Sequence, residues 1–82
     1  MSYVDDIAEI LDEMQADTSV PRNIKLKLTT VQIILTGHEE SQIKISRAMQ
    51  ELDDVTDDVN MQPYTRTQIY SLVSLLEQMG NN

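Results

Sequence analysis

Four carboxylates fall within the six residues of "DDVTDD": Asp53, Asp54, Asp57 and Asp58. On a helix, Asp53 with Asp57 and Asp54 with Asp58 are pairs four residues apart that project from one face. Divalent cations are held by several oxygen ligands, so the chemistry open to this cluster is weak Ca²⁺ or Mg²⁺ binding. The glycine and the distant glutamate of a Ca²⁺-binding loop are missing, and a solvated acidic face is the competing reading. Acids near a helix C-terminus also oppose the macrodipole, so fraying is expected at this point.

The rest of the reactive inventory is short. His38 is the single histidine, placed between Gly37 and two glutamates, and the chain has no cysteine. One imidazole without thiolates cannot build a histidine- or cysteine-rich metal centre. As a general base it would need a positioned substrate and a partner group, and the sequence offers neither. The serines and threonines form no nucleophile motif. Two glycines, Gly37 and Gly80, are too few for a phosphate-cradling loop. No catalytic residue and no cofactor is therefore expected.

Apolar periodicity defines the elements that carry these groups. Val4, Ile7, Leu11 and Met14 recur at spacings of three and four, the stripe of an amphipathic helix. Ser2 precedes them with Asp5 three positions on, a relative of the capping box, so helix one is expected over about 3–16. Ile24, Leu28, Val31 and Leu35 define helix two, about 21–36. Pro21 suits its first turn, and Gly37 offers a left-handed stop. Helix three, opened by Ser41, carries Ile45, Ala48 or Met49, Leu52 and Val55. Helix four carries Ile69, Leu72 or Val73, Leu76 and Met79, with Pro63 near its start and Gly80 just past its end. Met14, Met49, Met61 and Met79 read as core or edge fillers. Short connections make successive helices antiparallel. The expected fold is all-α: an up-and-down four-helix bundle.

The chain also resembles itself. At an offset of forty-one, Leu11 meets Leu52, Asp17 meets Asp58, Val20 meets Met61, Lys25 meets Arg66 and Leu28 meets Ile69. Two quasi-repeated helical hairpins follow, about 3–36 and about 41–79, in one domain spanning 1–82. A period near forty also fits the units of HEAT-type solenoids, although such arrays need about three repeats to bury a continuous core. At the two corners, Asp17 and Asp58 are placed to accept backbone N–H groups and to meet Arg22 and Arg66. Leu11, Leu28, Leu52 and Leu76 should share one dry centre.

The stretches "DTSVPRNI" and "TRTQIYSLVSLLE" resemble an uncharacterised archaeal protein family of short all-helical chains. The resemblance spans nearly the whole length and implies a small four-helix bundle with no assigned activity. At the second corner this chain departs from the family pattern, because Gln62 intervenes between Met61 and Pro63.

Composition bounds the function. The 82 residues include only three aromatic side chains, all tyrosine, so the core must be aliphatic. A net charge of −8 opposes direct contact with nucleic acid or anionic membranes. No apolar run approaches the ~20 residues of a membrane span, and no basic-plus-apolar leader is evident, so a cytoplasmic protein is expected. Leu26 and Ile33 lie nearly opposite the apolar stripe of helix two, and Ile43 lies across from Ile45 and Leu52. If these three residues merge, they form an apolar patch suited to a protein partner or to self-association, a dimer being the simplest case. The leading expectation is a non-enzymatic protein–protein interaction module or small accessory subunit. The alternatives are an accessory factor of nucleic-acid machinery acting through a basic protein partner, and a weak cation binder at Asp53–Asp58.

Overall fold

The computed structural model describes residues 2–81. Four helices follow one another: α1 Tyr3–Ala16, α2 Arg22–Leu35, α3 Ser41–Thr56 and α4 Pro63–Gly80. Each packs on its neighbours in the chain, and α1 closes the ring against α4. A solenoid would instead stack α1 on α3 and α2 on α4, and neither pair packs side by side. The two hairpins therefore close face to face as a four-helix bundle.

The stripes become the core. Leu11, Leu28, Leu52 and Leu76 lie in one buried cluster with Met14, Ile24, Val31, Ile69 and Leu72. Three of the expected stripe residues differ, Met79 being only partly buried. Val4 is 61% exposed, and Ile34 rather than Leu35 makes the innermost contact at the end of α2. Val4 and Leu35 sit at the bundle end where α1 and α2, the least closely packed adjacent pair, diverge.

Helix starts and stops follow local hydrogen bonding. Ser2 caps α1 as expected, its Oγ accepting from Asp5 N at 3.2 Å. Ser41 is not a cap: it is the first residue of α3, behind Glu40 at the N-cap. Pro21 is the N-cap of α2, with its carbonyl accepting from Lys25 N at 3.0 Å. Gln62 takes the equivalent place before α4, accepting from Arg66 N at 3.0 Å, and Pro63 becomes the first helical residue. The inserted glutamine thus leaves the two helix starts in register. Either residue can serve, because an N-cap needs extended backbone and a free carbonyl, which proline supplies as well as glutamine.

The glycines act differently from the expectation. Among the described residues no glycine has a positive φ. α2 ends at Leu35: Thr36 N still donates to Gln32 O at 3.0 Å, but Gly37 N turns back to Ile34 O, three residues earlier, at 3.2 Å. A Cβ at Gly37 would stand 3.3 Å from Ile34 O, so glycine is used there for space, not handedness. Gly80 is the last residue of α4 rather than the residue after it, and its carbonyl accepts from Gln42 Nε2 at 2.9 Å.

The offset of forty-one holds in the corner backbone. Asp17 N donates to Met14 O and Val20 N to Asp17 O; Asp58 N donates to Val55 O and Met61 N to Asp58 O. Val20 and Met61 close the two corners as buried plugs. The aspartates do not reach the following helices. Asp17 Oδ1 accepts from Ser19 N at 2.8 Å and from Ser19 Oγ at 2.7 Å. Asp58 Oδ1 accepts from Asn60 N at 2.9 Å, and its Oδ2 accepts from Asn23 Nδ2 at 2.7 Å. Nor, among the described residues, does Arg66 pair with a carboxylate. Its guanidinium donates to the carbonyls of Thr56 and Asp58, satisfying the open end of α3.

These bonds make the corners acid-sensitive. Ser19 holds the Asp17 carboxyl below the ordinary value of 3.8, and Asn23, with Asn60, does the same for Asp58. A carboxyl lowered in the folded state contributes stability that is complete above its ordinary pKa. That contribution is lost as pH falls through the lowered value. The double variant Asp17→Asn/Asp58→Asn keeps an acceptor at each turn without a titrating proton. Chemical denaturation from about pH 5 to about pH 2 should show it losing less stability on acidification than the parent.

Candidate functional site

The three aliphatic side chains singled out for association are all solvent-facing. Leu26 is 60% exposed, Ile33 66% and Ile43 46%. The seven-residue spacing puts Leu26 and Ile33 two turns apart on the outer side of α2, with Thr30 between them. The Thr30 hydroxyl donates to Leu26 O at 3.1 Å. Ile43 lies in the first turn of α3, across the five-residue connection 36–40 from the end of α2. The helix carrying Leu26 and Ile33 is basic: Arg22, Lys25 and Lys27 stand on it, and no acid does.

An ion-paired seam joins α2 to α3. Lys27 Nζ lies 2.6 Å from Glu51 Oε2 and 3.2 Å from Asp54 Oδ2. Glu51 first, then Asp54, raises the lysine pKa, so the ammonium is retained. The α1–α4 seam repeats the tie in neutral form. Gln68, the counterpart of Lys27, donates from Nε2 to Oε1 of Glu13, the counterpart of Asp54, at 3.4 Å. The same Glu13 oxygen accepts from the Tyr64 hydroxyl at 2.9 Å, which raises the tyrosine pKa.

The acidic run is dispersed by these contacts. Asp54 is drawn to α2 and Asp58 to the corner with Asn23 and Asn60, while Asp53 and Asp57 are exposed. Among the described residues no three acidic or histidine side chains come together where they could hold a metal ion. His38 is exposed in the 36–40 connection.

Three features escaped the sequence. Thr65 and Gln68 of α4 are buried, with Thr65 Oγ1 and Gln68 Oε1 lacking hydrogen-bond partners. Thr65 is the repeat counterpart of the core residue Ile24, and that alignment was the available signal. The third is a groove of about 270 Å³ between α1 and α2 at one end of the bundle. Val4, Ile7, Ala8 and Leu11 form one wall, Gln32, Leu35 and Thr36 the other, and Ser41, Lys44, Ile45 and Met79 close it.

Comparison with known proteins gives a family and a fold. A model of an uncharacterised protein family, UPF0147, matches residues 2–79. A UPF0147 protein of Methanocaldococcus jannaschii is 40% identical over 89% of this chain and 80% of its own. One from Archaeoglobus fulgidus is 30% identical over 94% and 88%. The crystal structure of the unknown-function protein MMP1188 superposes with a TM-score of 0.84 at 38% identity, covering 92% of this chain and 86% of that one.

Proposed function

The chain belongs to the uncharacterised protein family UPF0147, and from that premise we propose that it is a non-enzymatic protein-interaction module. It docks through the outer face of α2 and the start of α3. The supporting observation is the exposure of Leu26, Ile33 and Ile43 on adjacent helices whose other large aliphatics are drawn into the core. Large aliphatics left in water on two neighbouring helices favour a partner surface, and a second copy of the chain is the simplest one.

Placing a carboxylate at both α2 positions tests this. Leu26→Glu/Ile33→Glu should keep the helical circular-dichroism signal and remove association, lowering the solution mass in light scattering to that of one chain. A parent protein that is already monomeric at high concentration removes the self-association form of the reading. Unchanged association in the double variant removes this face altogether.

A second reading rests on α1. Asp5, Asp6, Glu9, Asp12 and Glu13 all lie on this helix with no basic residue. Such a surface selects a basic protein partner by steering. An accessory role in nucleic-acid machinery, with the partner supplying the phosphate contacts, is the corresponding function.

A further inference from the structure

The groove between α1 and α2 has a counterpart inside the chain itself. At the offset of forty-one, Ala8 corresponds to Met49 and Gln32 to Val73. In the second hairpin Met49 and Val73 pack against the core. In the first, a methyl group and a polar side chain stand in their places. The change leaves Leu35 only partly buried, where its counterpart Leu76 is fully buried. It leaves Val4 exposed as well, where its counterpart Ile45 is buried. The counterpart seam, lined by Ile45, Met49 and Leu76, is itself grooved, so the first hairpin differs in what stands on its wall, alanine in place of methionine.

Its walls are aliphatic and its rim is selective. Lys44 is the one charged residue among those lining it, in a chain that carries 14 acids against 6 bases. Among the described residues the Lys44 ammonium has only a long contact, 3.4 Å to Gly37 O, to hold it. Gln32 and Ser41 bring neutral hydrogen-bonding groups to the same rim. The space of about 270 Å³ equals roughly nine water volumes and is smaller than a typical drug-sized pocket. We propose that this groove is a binding site for a short aliphatic carboxylate, its hydrocarbon chain against Ala8, Leu11, Leu35 and Ile45 and its carboxylate on Lys44. The site is separate from the outer face of α2, since neither Leu26 nor Ile33 lines it.

Octanoate, with about ten non-hydrogen atoms, matches the space and serves as the probe, with 1-octanol as its uncharged counterpart. Titration followed by amide NMR should give saturable shifts centred on Ala8, Leu35, Ile45 and Met79, with half-saturation below about 1 mM. Ala8→Met restores the side chain found in the other hairpin and should abolish those shifts. Lys44→Gln, a rim change that leaves the core intact, should weaken octanoate about tenfold and leave 1-octanol unaffected. Shifts that do not saturate, that centre elsewhere, or that persist in Ala8→Met overturn the site. Octanoate binding unchanged in Lys44→Gln overturns the carboxylate assignment.

Discussion

Leu28→Ala should lower the unfolding free energy by about 2–5 kcal/mol, the cost of removing a buried leucine and leaving a cavity. Leu28 is fully buried in the central cluster and belongs to α2, whose inner face meets the other helices across the core. Collapse around the gap is restricted, because Val31, Ile24, Ile69 and Leu72 are themselves fully enclosed. Urea denaturation measures the loss as a lower midpoint at constant slope. Two positions away, Leu26→Ala should change stability by no more than about 0.5 kcal/mol, as an exposed site does. Equal costs at 26 and 28 would contradict the orientation of α2 and, with it, the outer face assigned to partner binding.

Thr65→Val should do the opposite and raise stability by about 1 kcal/mol, moving the thermal midpoint up by about 4–8 °C. Elsewhere in the bundle a helical threonine satisfies its hydroxyl on the carbonyl one turn earlier. Thr29 donates to Lys25 O, Thr30 to Leu26 O, Thr56 to Leu52 O and Thr67 to Pro63 O. Thr65 lies in the first turn of α4, so the carbonyl four residues back belongs to Met61, outside the helix. Its Oγ1 is left buried and unpartnered. Burying a hydroxyl in that condition costs free energy that an isosteric methyl does not. A lower midpoint in Thr65→Val would show that the hydroxyl has a hydrogen-bond partner.

The sequence carried the bundle because the bundle is a matter of periodicity. Stripes such as Ile24–Leu28–Val31 name the face that turns inward, and short connections force antiparallel neighbours. The Ser2 cap was legible for a similar reason, since its partner Asp5 N lies three residues away. Contacts between distant segments were less legible. The Arg66 side chain reaches back across its own corner to two carbonyls at the end of α3, and no local pattern distinguishes that from pairing with Asp58. The acidic run looked like one cluster because its members are neighbours in sequence. The fold sends Asp54 to Lys27 and Asp58 to Asn23. The groove depends on what faces Ala8 across a helix seam, and composition says nothing of that.

The closed pair of hairpins has a consequence for chain order. Val4, Thr36, Ser41 and Met79 meet around one groove, so the start of α1, the end of α2, the start of α3 and the end of α4 gather at the same pole. A circular permutant that leads with the second hairpin and bridges α4 to α1 by a short linker would preserve every interhelical seam. The order of the hairpins along the polypeptide is therefore interchangeable, and the architecture is that of two half-sized peptides folded as an intramolecular dimer.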